Sequence, residues 1–314
     1  MLSWPKRIFA VLAGLGLAAA GLWAGFLWDL SITRYLYDPV SPFALWAEAA
    51  GWWPLYMPLG LLGFVLAASC KKNVRTLKGG FAFAGSLLFL LLGLAVLILP
   101  ACHYLEKRAV PFTGGVMPFL FVGAAFFIAV LLALFCRIKP GNLVRLRAYA
   151  LLGVGFIILE NIAVNLMKWI WQRARFDDML QTGSFDAFTS WLSAPGSGGS
   201  SFPSGHTAAA SALILCVFFV ILFPSCKKEG EKLLFTGYIY ALAVGFGRMM
   251  MGRHFLSDTI AAILVVTALT VLLWALPPVR KALKKAAQRA RQLDGPPPPD
   301  PGRENAAPPA GEET

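Results

Sequence analysis

Eight apolar blocks, most of them close to the length of a membrane-spanning helix, constrain the fold of this chain more than any other feature. They lie at residues 8–28, 54–69, 81–101, 117–136, 148–168, 206–223, 233–250 and 256–276. A helix of about 20 apolar residues crosses a bilayer, and 58% hydrophobic with only 14% charged residues is unlike a soluble domain. The sequence therefore predicts an all-α fold, a polytopic membrane helix bundle. The bundle has about eight transmembrane helices, with six or seven as alternatives because the second block is short and glycines interrupt the seventh.

The distribution of basic residues predicts how the bundle is oriented. If successive segments between the blocks alternate sides, one side carries twenty of the 28 Lys and Arg residues and the other carries eight. Loops rich in Lys and Arg stay in the cytoplasm, so we expect an even number of helices with both termini cytoplasmic. The chain is then a multi-pass protein of a bacterial inner (cytoplasmic) membrane, with its first apolar block an uncleaved helix. This orientation explains the net charge of +12 without a nucleic-acid partner.

The stretch GRMMMGRHFLSD, which leads into the last apolar block, predicts an imidazole and a carboxylate on one helix face. His254 and Asp258 are four residues apart, so their side chains are neighbours on a helix. A carboxylate bonded to one ring nitrogen fixes the tautomer and raises the basicity of the other nitrogen, as a nucleophile or base requires. Arg248 ends the preceding helix at the same boundary. A capping aspartate beside a solvated arginine is the plain alternative.

A second imidazole stands at the same predicted membrane face, in the stretch SFPSGHTAAA. Pro203 stiffens a turn, Ser204 can cap the helix that follows, and Gly205 lets backbone amides approach a ligand closely. Helix N-termini bind anions, and His206 lies within one turn of any anion held there. The alternative is an ordinary serine cap.

Cations follow in the stretch NIAVNLMKWIWQRAR. Asn161, Asn165 and Lys168 have helical spacing and form a polar stripe, while Glu160 is expected to face the protein interior. Arg175 follows Lys168 with six residues between them. A lysine that snorkels to the membrane interface is the alternative. Taken together, convergent cations, an activated nucleophile and a separate acid are what phosphoryl transfer requires without a metal.

In these three stretches the chain resembles the phosphatidic acid phosphatase type 2 superfamily, in its membrane lipid phosphatase branch. The family motifs read K-x6-RP, PSGH and SR-x5-H-x3-D, and here they stand in order as KWIWQRARF, PSGH and GRMMMGRHFLSD. The resemblance covers roughly residues 148–276. It divides the chain into N-terminal transmembrane helices (1–147), a catalytic phosphatase helical core (148–277), and a basic juxtamembrane helix with a disordered Pro-rich tail (278–314).

The resemblance implies a role for each motif residue. His254 would attack phosphorus to form a phosphohistidine, Asp258 would orient it, and His206 would protonate the leaving oxygen. The groups that would hold the phosphate oxygens are Lys168, Arg175, Ser204, the Gly205 amide and Arg248. No metal or other cofactor is expected, and the five scattered cysteines form no metal-binding pattern. Phe176 stands where the family usually has proline, and Gly247 replaces the serine before Arg248.

The function predicted from these features is an integral membrane phosphatase whose partners are the bilayer and a phosphorylated lipid. Its site would face the periplasm or exterior, and the candidate substrates are phosphatidate, phosphatidylglycerophosphate, an isoprenyl pyrophosphate or the lipid A phosphates. A lipid phosphotransferase with the same site is the near alternative. A membrane transporter whose ion path includes Glu160, Asn161 and Asn165 is the distant one, although the polar residues gather at one face and not at the midplane.

Overall fold

All regular secondary structure in the computed structural model is helical over the residues that it describes, which are 4–70, 75–107 and 128–295. In chain order the helices are α1 (Trp4–Leu36), α2 (Pro42–Ala50), α3 (Trp53–Cys70), α4 (Leu77–Lys107), α5 (described over 128–135), α6 (Pro140–Trp171), α7 (Phe176–Thr182), α8 (Gly205–Ser211), α9 (Cys216–Leu222), α10 (Lys227–Met250), α11 (Leu256–Ala275) and α12 (Pro277–Asp294). A 3₁₀ turn at Ala212–Leu215 joins α8 to α9, and a second at Pro224–Cys226 joins α9 to α10.

Seven segments of the described residues are long and apolar enough to cross a membrane. They are Val11–Leu36, Trp53–Cys70, Leu77–Ala95, Pro140–Thr182, Gly205–Leu222, Pro224–Met250 and Leu256–Ala275. These segments correspond to seven of the eight predicted blocks, and they confirm the polytopic helical bundle. The remaining block, 117–136, lies mostly outside the described residues, as does the predicted disordered tail from 296 onward.

The ends of the helices follow from local sequence. Pro140 stands at the first position of α6, where its missing N–H is not needed, and Gln172 ends that helix in a left-handed conformation with φ 45°. Helix α7 ends in the same way at Gly183, with φ 73°. Two prolines start α12, and Leu276, between α11 and α12, is extended, so the two helices are not continuous.

Packing brings the N-terminal helices against the later ones. Helix α1 lies against α11, α2 lies against α10, and α3 lies between α4 and α6. The largest apolar core is built from α3, α6, α8, α9, α11 and α12, with Phe156 and Phe218 fully buried in it. A smaller cluster around Phe176 and Phe255 lies beside the loops that precede α7 and α11. The early helices therefore contact the segments that carry the three motifs.

The basic segment after residue 278 is helical and amphipathic. Leu283 and Ala290 of α12 are buried against the bundle, while its six Lys and Arg residues are exposed. Asp294 at its end accepts from Arg145 in the first turns of α6 at 2.7 Å. Because α6 runs from that contact to Lys168, α12 lies at the end of the bundle opposite the motif residues.

Candidate active site

The N-terminus of α8 is capped as the sequence predicts. The Ser204 hydroxyl accepts from the backbone N–H of Thr207 at 3.3 Å, and the Ser204 N–H donates to the Asp258 carbonyl at 3.1 Å. The second bond ties the PSGH turn to the start of α11. Gly205 faces a cation, since a Cβ at this position would lie 3.3 Å from Lys168 Nζ. Glycine thus leaves open the space between the backbone and the lysine.

His206, the second residue of α8, lies under an indole ring that the motifs do not include. The rings of His206 and Trp52 have centroids 4.4 Å apart at an angle of 54°. The imidazole is half-buried and lies within electrostatic reach of His254, Lys168, Arg175 and Arg248. The structure therefore brings together the two histidines and three cations singled out in the sequence.

His254 is held by a backbone carbonyl. Its Nδ1 lies 2.7 Å from the Ser201 carbonyl oxygen, which can only accept a hydrogen bond, so Nδ1 carries the proton. The lone pair is then on Nε2. Burial lowers the pKa of His254 to about 4, although the nearby Asp258 carboxylate opposes this shift. The ring is therefore neutral at pH 7 and has the unprotonated nitrogen that a nucleophile needs.

The Asp258 carboxylate lies near the His254 ring, as the spacing predicts, but the hydrogen-bond partner of the ring is the Ser201 carbonyl. Its Oδ2 is 3.8 Å from Nδ1 of His254. The carboxylate instead accepts from Arg173 at 2.6 Å, from the Ser201 hydroxyl at 2.5 Å and from the Phe255 N–H at 2.8 Å. Asp258 and the His254 ring are therefore linked through Ser201, which contacts both, and not by a direct hydrogen bond.

Three cations come from three helix ends. Lys168 is in the last turn of α6, Arg175 immediately precedes α7, and Arg248 is in the last turn of α10. Arg175 donates to the Ser200 hydroxyl at 2.9 Å, and Arg248 lies 3.3 Å from the Glu48 carboxylate. Both arginines keep a buried Nε–H with no partner among the described residues. Buried donors of this kind need an acceptor, and an anion supplies one.

Four further residues at the site have no assigned place in the sequence motifs: Asp29, Glu48, Trp52 and Arg173. Two carboxylates of the N-terminal helices pair with arginines of the later ones, Asp29 with Arg173 at 2.9 Å and Glu48 with Arg248. An ionisable residue within an apolar helix, as Asp29 is in WDL, is the signal that could have found the first pair. Trp52 has no such signal, because an aromatic residue beside a membrane helix is common.

The two asparagines of the polar stripe on α6 have partners within the helix. Asn161 and Asn165 each donate to a carbonyl one turn earlier in their own helix, at 2.9 and 2.8 Å. Glu160 is buried, as expected. These two hydrogen bonds satisfy the asparagines within the helix, so they lend no support to an ion path.

Each departure from the family pattern has a packing explanation. Phe176 occupies the first position of α7, where proline is favoured, and its buried ring lies 5.3 Å from that of Tyr37. Gly247 lies directly under α2, since a Cβ there would come within 2.3 Å of the Ala47 Cβ. A serine would collide with α2 in this chain.

A family model matches the part of the chain that carries the motifs. Residues 147–282 match the family model of the PAP2 superfamily, and this stretch holds all three motifs. No curated protein and no solved structure matches the chain. PAP2 members are phosphatases, and a bundle of membrane helices with these motifs fits a membrane phosphatase. The match over residues 147–282 therefore supports the assignment of this part of the chain to the PAP2 superfamily.

Proposed function

We propose that this protein hydrolyses a phosphate monoester or pyrophosphate of a membrane lipid through a phosphohistidine, at the outer face of a bacterial inner membrane. The observation that carries the proposal is the state of His254. Its Nδ1 donates to the Ser201 carbonyl, and its neutral Nε2 is free for attack within electrostatic reach of Lys168 and Arg248. A buried neutral imidazole among Lys and Arg side chains is suited to an anionic electrophile.

In the first half of the reaction, Nε2 of His254 attacks phosphorus. The new N–P bond forms as the bond from phosphorus to the lipid oxygen breaks, and His206 gives its proton to that oxygen. A protonated His206 beside three cations is stabilised by the negative charge of the substrate phosphate. The nearby Asp258 carboxylate stabilises the positive charge that His254 gains on attack.

In the second half, water attacks the phosphorus of the phosphohistidine. His206, now neutral, accepts a proton from the water as the N–P bond breaks. Free phosphate leaves and His254 returns to its neutral form. Lys168, Arg175 and Arg248 hold the phosphoryl oxygens in both halves, with the buried Nε–H groups of the two arginines as donors.

A lipid substrate is favoured by where the site lies. Lys168 and Arg248 stand in the last turns of apolar helices long enough to span a bilayer. Large apolar side chains such as Trp169 and Ile170 are exposed next to Lys168. The phosphate site is therefore at headgroup level, where the phosphate of an amphiphile would meet it. Phosphatidate, phosphatidylglycerophosphate, isoprenyl pyrophosphates and lipid A phosphates all meet this requirement.

The test is phosphate release by the detergent-purified protein from a panel of these lipids, with and without a chelator. We expect chelator-resistant release that falls at least about 10³-fold in His254→Ala and about 10²-fold or more in His206→Ala. Substantial activity in His254→Ala would overturn the phosphohistidine, and loss of activity with chelator would overturn the metal-free scheme.

The same assay separates hydrolysis from group transfer. A phosphohistidine can pass its phosphoryl group to a lipid or sugar alcohol in place of water, with the same residues. The ratio of free phosphate to phosphorylated acceptor distinguishes the two. We expect free phosphate to account for most of the product when no acceptor alcohol is added.

A further inference from the structure

Asp29 is a fully enclosed carboxylate in the first helix, far in sequence from the motif residues. Its exposed fraction is 1%, and it lies outside the stretch that matches the family. Its carboxylate accepts from Arg173 at 2.9 Å, from the Ser257 N–H at 3.1 Å and from the Ser257 hydroxyl. A charge buried this deeply in an apolar helix is costly unless it has a specific partner.

The first task that these contacts perform is to cap α11. The residue at the N-cap position of α11 is Phe255, whose side chain cannot accept a hydrogen bond. Helix N-termini need such an acceptor for the second or third N–H. Asp29 supplies it from α1, because it accepts from Ser257, the second residue of α11. The negative charge also suits the positive end of the helix dipole.

The second task is to share a guanidinium with the carboxylate beside the nucleophile. Arg173 has no exposed surface and donates to Asp29 and to Asp258. With a single carboxylate partner, Arg173 would neutralise Asp258. With both carboxylates as partners, the Arg173 guanidinium, Asp29 and Asp258 together keep one net negative charge. That charge lies on the side of His254 where its ring becomes positive during attack.

These two tasks concern the same short segment of chain. Asp258 is the third residue of α11, and His254 lies immediately before the N-cap residue. A shift of the first turn of α11 therefore moves both His254 and Asp258. We propose that Asp29 is a positioning residue for the phosphoryl-transfer step, which holds His254 and Asp258 in place from the first transmembrane helix. This inference rests on the proposed function.

The experiment compares Asp29→Asn with Asp38→Asn, which makes the same chemical change at an exposed position just after α1. Purified full-length variants are assayed for kcat on the best lipid of the panel and for inhibition by inorganic phosphate. We expect Asp29→Asn to lower kcat between about 10-fold and 100-fold, because a small displacement of reacting groups has that effect. Inhibition by phosphate should stay within about twofold of wild type, because the cations that hold phosphate do not contact Asp29. Asp38→Asn should match wild type in both.

A second variant covers the case in which Asp29→Asn does not fold. Ser257→Ala removes the hydroxyl that joins Asp29 and Arg173 and leaves both charges in place. We expect a several-fold lower kcat with unchanged phosphate inhibition. In the double variant, the two effects should be less than additive if both act through α11.

The outcomes separate this inference from the proposed function. If wild type releases no phosphate from any lipid, the proposed function fails. If wild type is active and folded Asp29→Asn has the kcat of wild type, the positioning role is overturned and Asp29 only stabilises the fold. If Asp29→Asn cannot be purified as a folded protein, Ser257→Ala decides the question. A kcat equal to that of wild type in Ser257→Ala then overturns the positioning role. Parallel losses of kcat and of phosphate binding would also overturn it, since they indicate a general distortion of the site.

Discussion

At the level of single residues, the ring of His254 shows how a backbone atom can set the chemistry of a side chain. The Ser201 carbonyl fixes the proton on Nδ1, and Ser201 also donates its hydroxyl to Asp258. One residue of the loop before α8 therefore contacts both members of the His254–Asp258 pair. The FPSGH turn and the start of α11 form one unit, because the Ser204 N–H donates to the Asp258 carbonyl in the same place.

The protonation state of His254 gives a direct prediction. Burial lowers its pKa to about 4 from an ordinary value of 6.5, so the ring should stay neutral between pH 5 and 7 and gain its second proton only near pH 4. The chain has only three histidines, which makes nitrogen NMR of ¹⁵N-histidine protein practical. We expect one ring in the Nδ1–H form with a titration midpoint near 4. His254→Ala should remove that signal, and a midpoint near 6.5 for the signal would contradict the prediction.

At the level of helices, the close approach of α2 to α10 explains why a family serine is absent. Gly247 leaves room for the Ala47 Cβ. We predict that Gly247→Ser, although it restores the family motif, destabilises the protein by about 1–3 kcal/mol, the range for overpacking a tight contact. Thermal unfolding in detergent checks this. Adding Ala47→Gly to Gly247→Ser should recover most of the lost stability. If Gly247→Ser alone is as stable as wild type, the prediction is wrong and α2 can move to make room for the serine.

Helix α2 also brings a carboxylate to Arg248, which we propose binds phosphate. Glu48 lies 3.3 Å from Arg248, with side-chain exposures of 13% and 5%. Glu48→Gln leaves the Arg248 charge poorly compensated, so we expect the midpoint of thermal unfolding to fall by several degrees. Each kcal/mol of unfolding free energy that is lost lowers the midpoint by roughly 2–4 °C. Inorganic phosphate can supply the missing anion, and it should raise the midpoint more in the variant than in wild type. Glu231→Gln, at an exposed position of α10, is the control and should match wild type.

The sequence predicted the helices and the later half of the site because both have local signatures. Apolar length predicts a membrane helix, and Lys168, His206 and His254 each lie in a motif of fixed spacing. The partners from α1 and α2 could not be predicted in the same way. Asp29 and Arg173 are 144 positions apart in the chain, and only the packing of α1 on α11 brings them together. Trp52 reaches His206 through an equally long-range contact.

For the molecule as a whole, the same pairs help to explain its charge distribution. Five of the eight basic residues on the predicted outer side lie between Lys168 and Arg253. Arg173 is paired with the buried Asp29, Arg248 lies beside the half-buried Glu48, and Arg253 lies 3.0 Å from Asp177. Paired arginines contribute little net charge to their side of the membrane. By contrast, the basic residues of α12 are exposed at the opposite end of the bundle.

This contrast predicts the orientation of the protein in its membrane. Exposed Lys and Arg keep a segment in the cytoplasm, so α12 should be inside and the loop between α7 and α8 outside. Single cysteines at two exposed positions, Ser193→Cys in that loop and Gln292→Cys in α12, can be introduced into a chain whose native cysteines are replaced. A membrane-impermeant maleimide should label Ser193→Cys in intact cells and Gln292→Cys only after the membrane is opened. Both should be labelled equally in detergent, which shows that the thiols are reactive. The reverse pattern in intact cells would place the site on the cytoplasmic side and would restrict its substrate to lipids of the inner leaflet.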